Sequence, residues 1–169
     1  MSQQVSFDAL NRLTLRSYEE RDQSAVEHLF TNGLLAGQID ENDTAADIDN
    51  IRATYFADTH NHFWVAELDG QVIGMIGVAH EERITAEIRR LRVAPEWQES
   101  PLPAKLMQTA IEHCRRHGFV KVVLDTRIAR AAALELFTKL GFQHTRTKSH
   151  HGREALEFYL DLYRPKKPE

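Results

Sequence analysis

The chain has 169 residues, 42% hydrophobic and 27% charged, with a formal net charge of −4; this is enough apolar surface for one packed domain. The slightly acidic balance excludes the concentrated positive face of a general nucleic-acid binder. No apolar run approaches the roughly 20 residues needed to cross a bilayer, the polar N-terminus lacks a signal-peptide core, and the single cysteine, Cys114, can form no internal disulfide.

The expectation is therefore a cytoplasmic protein of one domain, with disordered ends over about 1–11 and 164–169. In chain order, Leu13-Thr14-Leu15-Arg16 alternates as a short strand. Asp22 stands where it can cap a helical segment in which Val26, Leu29, Phe30 and Leu34 recur, ended by Gly33 and Gly37. The next stretch carries Asp40, Glu41, Asp43, Asp47 and Asp49, and Ile48, Ile51 and Tyr55 share a helical face, which predicts a loop and a second helix. Phe63–Leu68 and Val72–Ala79 are strand-like runs joined by Asp69-Gly70, a strong hairpin signal. Gly74 and Gly77 inside the second run suggest close backbone packing or a bulge.

Thr85–Val93 reads as another strand. Pro101/Pro103–His117 reads as a helix, with Leu102, Leu106, Ala110 and Cys114 at i, i+4 spacing and Gly118 as its stop. Cys114 is expected to be a small core residue. Val120–Leu124 is almost purely apolar, as a buried parallel strand is. Ala131–Leu140 is a helix closed by Gly141, and Ala155–Leu162 is a final strand. One βαβ crossover, Thr85 to Leu124, sits among hairpins. The fold class expected is α/β (α+β): a mixed, mostly antiparallel sheet of about six to seven strands with helices on both faces.

The segment Arg89–Met107 has the outline of a phosphate-binding strand, loop and helix. Unpaired N–H groups at the helix start and the helix dipole favour an anion there. Proline stands at 101 and 103, where it suits the first helical turn but has no N–H to donate.

These residues resemble a known family. The run AEIRRLRVAPEWQ, then a helix, then VVLDT and AALELFTKLGF, is similar to the GNAT (Gcn5-related N-acetyltransferase) acyltransferases over Leu13 to Tyr163. The most specific pieces are Val93-x-Pro95 with Gln98, and Leu136-Phe137-x-x-x-Gly141-Phe142. Arg16-Ser17-Tyr18 to Leu29-Phe30 looks like the start of small bacterial members. The resemblance implies that acetyl-CoA is the co-substrate, wedged where the strand ending at Val93 splays from its parallel neighbour. Backbone groups of Leu91, Arg92 and Val93 would pair with its pantetheine arm, and an N–H here would stabilise the thioester oxyanion. The family's loop pattern is Gln/Arg-x-x-Gly-x-Gly/Ala. Gln98 keeps its first position, prolines replace both glycines, and Glu99, Ser100, Leu102 and Ala104 keep N–H groups nearby. Where the family has an Asn and a Tyr on the fourth helix, this chain has Arg130 and Phe137. Phe137 cannot protonate a thiolate; Arg130 is either a phosphate ligand or a solvated residue at a helix start.

Glu87 matches a general base of some members; it takes a proton from the amine, or is an ordinary acid paired with Arg89 and Arg90. The acidic stretch 40–49 is either a rim favouring a cationic amine or a solvated loop with capping aspartates. His60, His62, His150 and His151 lack metal-ligand spacing and read as solvated, so no metal is expected. Arg115, Arg116, His117 and Lys121 form a basic cluster at the far end of the long helix, and the tail Arg164–Pro168 is expected to be disordered. The leading function is N-acetyl transfer to a primary amine of a small molecule or peptide, with neither nucleic acid nor membrane as partner. The alternatives are a non-catalytic binding or regulatory domain of the same shape, or an acyltransferase using an acyl carrier protein that docks on the basic cluster. A homodimer is possible, and no residue compels one.

Overall fold

A computed structural model describes residues 7–33, 44–126, 131–150 and 153–163. Gly37, Asp40, Glu41, Asp43, Arg130, His151 and Arg164–Pro168 lie outside the described residues, as does Leu34. The strands are β1 (Thr14–Ser17), β2 (His62–Leu68), β3 (Gln71–Glu82), β4 (Thr85–Val93), β5 (Lys121–Thr126), β6 (Gln143–His150) and β7 (Arg153–Asp161). They form one sheet in the order β1-β2-β3-β4-β5-β7-β6, antiparallel throughout except for β4 against β5. The helices are α1 (Phe7–Asn11), α2 (Gln23–Asn32), α3 (Ala46–Asp49), α4 (Ile51–Tyr55), α5 (Leu102–Arg116) and α6 (Ala131–Lys139).

Each face of the sheet buries its own core. On one face, Leu102, Leu106, Met107, Ala110 and Cys114 of α5 and Phe137 of α6 pack on Ala86, Ile88, Val122 and Leu124. Burial pushes the Cys114 thiol up to about 12, so it is a core residue with no thiolate chemistry near neutral pH. On the other face, Val26, Leu29, Ile48, Ile51 and Tyr55 of α2, α3 and α4 pack on Phe63, Val65 and Met75. Close approach there depends on Gly77, where a Cβ would come within 3.0 Å of both Phe63 and Tyr55. The β2–β3 hairpin turns through Asp69 (φ 49°) and Gly70 (φ 83°), as its sequence predicts.

Three local expectations are corrected. Residues 7–11, expected to be disordered, form α1. The second helix is two short ones, because Asn50 (φ −138°) breaks the path between α3 and α4, although Ile48, Ile51 and Tyr55 all remain buried. Asp22 precedes α2 but makes no side-chain cap. It is 3% exposed and instead accepts two 2.8 Å hydrogen bonds from the Arg16 guanidinium and one from the Glu19 N–H, while Arg16 Nε reaches Glu67 at 3.0 Å. Burial pushes the Asp22 carboxyl up, but Arg16 and the backbone outweigh it and hold the group below its ordinary value.

Candidate active site

Strands β4 and β5 pair only at Thr85↔Lys121, Ala86↔Val122 and Glu87↔Val123; beyond Glu87, β4 runs on to Val93 without β5. The sheet therefore opens into a wedge with an unpaired strand edge along its β4 wall.

A bulge shapes that wall. Gly77 faces Arg89 and Met75 faces Arg92, so Ile76 stands opposite both Arg90 and Leu91. The extra residue shifts the inward alternation from Ala86 and Ile88 to Leu91 and Val93. Arg90 takes φ 58°, a left-handed conformation that costs a non-glycine residue about 1–2 kcal/mol. Its guanidinium is clamped by Asp47 of α3, with Nη2 to Oδ1 at 2.6 Å and Nε to Oδ2 at 3.0 Å. Tyr55 of α4 donates to the same Oδ2 at 2.6 Å, and the Phe30 ring of α2 lies 5.0 Å from the guanidinium carbon. Burial raises the Asp47 carboxyl, but bonds from Arg90 and Tyr55 outweigh it and hold it low; the Tyr55 hydroxyl is pushed up by burial and by Asp47.

Along the open edge, Ala94 donates to Ile73 of β3 at 2.8 Å. Strand alternation thus turns the Arg92 backbone toward β3 and those of Leu91 and Val93 toward the wedge. Several of these groups have internal partners: Val93 N–H donates to the Gly33 carbonyl at 3.0 Å, Val93 O accepts from Gln98 Nε2 at 3.2 Å, and Leu91 O accepts from Arg92 Nη1 at 3.0 Å.

At the helix end of the wedge, the Pro95–Trp97 turn leads through Gln98–Ser100 to α5, with Pro101 at its N-cap (φ −67°). Ser100 N–H donates to Trp97 O at 3.1 Å and Leu102 N–H to Ser100 Oγ at 3.1 Å. Of the four amides expected to face a phosphate, those of Glu99 and Ala104 have no acceptor among the described residues.

Glu87 lies on the α4 side of β4, its side chain 24% exposed, and pairs with Arg89 Nε; Arg90 belongs to Asp47 instead. Asp47 is thus withdrawn from any acidic acceptor rim, while Asp49 stays exposed. Phe137 is buried against Phe142 and Phe158.

His60 is exposed, as expected, and His62 is half-buried, but both belong to a histidine cluster that the sequence did not show. His60, His62, His80, His113 and His117 gather where α5 ends over β2 and β3, next to Phe119 and Trp64. His113 donates Nε2–H to the His60 carbonyl at 2.8 Å and stacks on His117 at 4.0 Å; Asp58 accepts from His60 at 2.8 Å. Among the described residues no group of three ligands could hold a metal. The spacing hid the cluster, because α5 reaches β2 only through the crossover. Burial, with the neighbouring histidines, lowers His113 to about 4, and burial and His117 lower His62. Depressed histidines are neutral when folded, so their contribution is present above the unfolded value of 6.5 and is lost as pH falls from there through about 4. Allowing for partial exposure, His113→Gln should flatten the loss of stability over that range by about 1 kcal/mol. Thermal melts at intervals from pH 7 to 4.5 check this; an unchanged pH slope in the variant would refute it.

A sequence model of the acetyltransferase (GNAT) family matches residues 14–142. The chain is 33% identical over 104 residues to a probable N-acetyltransferase, camello, of Xenopus tropicalis, covering 60% of this chain and 48% of that protein. It is 33% identical over 106 residues to the N-acetylaspartate synthetase of Homo sapiens, covering 62% and 35%. The match thus spans half or less of the length of these relatives. Among solved structures, a putative acetyltransferase of Salmonella typhimurium with its cofactor acetyl-CoA superposes with a TM-score of 0.75 at 25% identity, covering 93% of this chain and 98% of that one.

Proposed function

The chain belongs to the acetyltransferase (GNAT) family, and from that premise we propose that it transfers an acetyl group from acetyl-CoA to a primary amine of a small molecule or peptide. The observation that carries this reading is the wedge: β4 leaves β5 after Glu87, and the bulge at Arg90 turns Leu91 and Val93 toward the gap. A pantetheine arm, an amide chain, fits an unpaired strand edge as an added strand does. The relative solved with acetyl-CoA supports the choice of donor.

The bound thioester supplies an acetyl group activated toward amines. The chain's own residues supply the rest. Leu91 and Val93 align the arm once the Gly33 and Gln98 contacts give way, and the Leu91 amide polarises the carbonyl oxygen. The α5 start, through the Glu99 and Ala104 amides, receives the pyrophosphate, with Gln98 and Ser100 shaping the loop and Arg130 a further candidate donor. Glu87 would accept the proton released as the amine nitrogen bonds to the acetyl carbon and the carbon–sulfur bond breaks, the electron pair of that bond leaving with the sulfur as a thiolate that solvent protonates.

A carrier-protein donor is disfavoured. Arg115, Arg116 and His117 lie a full helix length, about 22 Å, from the loop, and Arg116 already pairs with Glu112.

Calorimetry with acetyl-CoA should show saturable binding, and thiol release should follow with a panel of primary amines; no heat at millimolar ligand would overturn the reading. Glu87→Gln should lower kcat about 100-fold with little change in acetyl-CoA affinity. Full turnover in that variant would assign the proton to water or another group.

A further inference from the structure

Arg90 is an unusual choice for a left-handed position in a strand, where glycine would cost least. Two helices nevertheless converge on its side chain, α2 through Phe30 and α3 through Asp47, and a third, α4, holds Asp47 in place through Tyr55. Both charged side chains are largely out of solvent, 16% exposed for Arg90 and 14% for Asp47. The two-point geometry fixes the guanidinium plane, and so the rotamer, more firmly than a single contact could. The next residue in the chain is Leu91, whose amide the proposed reaction uses.

We propose that Asp47 is a positioning residue: by holding Arg90 in its left-handed conformation from the opposite layer, it sets the direction in which the Leu91 N–H points into the β4–β5 wedge. This rests on the acetyl-transfer reading above. Asp47 touches neither donor nor acceptor in this role. It acts through Arg90, so its importance should vanish where residue 90 adopts positive φ unaided. Glycine does so; alanine does not.

That difference supplies the test, on the full chain, with Asp47→Asn, Arg90→Ala, Arg90→Gly and the double variant Asp47→Asn/Arg90→Gly. The double variant removes the charge that Arg90→Gly alone would leave buried and unpaired. Asp47→Asn and Arg90→Ala should each lower kcat by about 10- to 100-fold, with the KM for acetyl-CoA changed less than about threefold. The double variant should recover at least about fivefold over Asp47→Asn, the non-additivity expected of residues acting as one unit. A role confined to stability would lower kcat along with melting temperature in every variant and give no such recovery. Equal kcat for Arg90→Ala and Arg90→Gly, or a double variant no better than Asp47→Asn, would overturn the proposal. The backbone chemical shifts and the N–H to Hα coupling at residues 90 and 91 in the free protein give a second readout independent of turnover. They should report loss of the positive φ at residue 90 in Asp47→Asn and its return in the double variant. A positive φ retained in Asp47→Asn would also overturn the proposal. If the wild-type chain failed to bind acetyl-CoA, the acetyl-transfer reading would fall, while the conformation of residue 90 would still decide whether Asp47 sets the bulge.

Discussion

Replacing Pro101 and Pro103 together by glycine is expected to tighten acetyl-CoA binding about 100-fold while making the protein less stable. Each substitution returns one N–H to the first turn of α5, where amides point away from the helix. A hydrogen bond to a charged acceptor contributes about 1.5–3 kcal/mol, so two at the lower figure give about 3 kcal/mol, or two powers of ten. The lower figure is appropriate because glycine leaves the loop less preorganised than proline does. Of the loop amides, those of Glu99 and Ala104 lack an acceptor among the described residues, since Ser100 and Leu102 donate within the loop, so two more donors would double the supply. Stability should move the other way. Each Pro→Gly change frees the unfolded chain by about 1 kcal/mol, and Pro103 is buried and loses packing as well. Calorimetry on both proteins, with melting curves beside it, separates the two effects. Equal affinity would mean that the present amides already hold the pyrophosphate, and that the prolines only stiffen the helix start.

Arg16→Ala should cost about 3–5 kcal/mol of stability, because it strands the Asp22 carboxylate in the interior. For a domain of this size that is a fall of about 10 °C in melting temperature. Arg16 is the only guanidinium hydrogen-bonded to Asp22 among the described residues, and it also ties β1 to β2 through Glu67. Arg16→Met/Asp22→Leu, which removes both charges and keeps apolar bulk, should recover most of the loss. A single variant melting within about 2 °C of the parent would show that water reaches Asp22 freely. The sign with pH follows from the depressed Asp22 carboxyl: its contribution is complete above its unfolded value of 3.8 and disappears as the carboxyl protonates in stronger acid. That range lies below the one governed by the histidines.

Local chemistry was legible in the sequence where it decides structure locally. Asp69-Gly70 specifies a tight hairpin because the turn needs positive φ at both positions. The apolar spacing of α5 marks its buried face, and Gly118 (φ 79°) and Gly141 (φ 96°) end helices as expected. The motifs from Val93 to Gln98 carried the family. Misread features were those set by partners distant along the chain. Asp22 looked like a cap because its ion partner lies on a strand, and Asp47 looked like a solvated acid because Arg90 is 43 residues away. The bulge did leave a trace: in Ala86-Glu87-Ile88-Arg89-Arg90-Leu91-Arg92-Val93, alternation slips by one at the paired arginines, and no glycine marks the place. The histidine cluster left none, because its members come from separate elements.

The parting of β4 and β5 also divides the molecule mechanically. Three paired positions and the α5 crossover link strands β1–β4 to the smaller group of β5, β7 and β6, so the sheet's hydrogen-bond ladder, the usual carrier of cooperativity, is thinnest at its centre. The group beyond the wedge is therefore the natural unit of partial opening, with amides that exchange at a lower free energy than those of β2 and β3. A ligand threaded between the halves would join what the ladder leaves apart, and its grip would register as slowed exchange on the far side of the wedge, in strands it never touches.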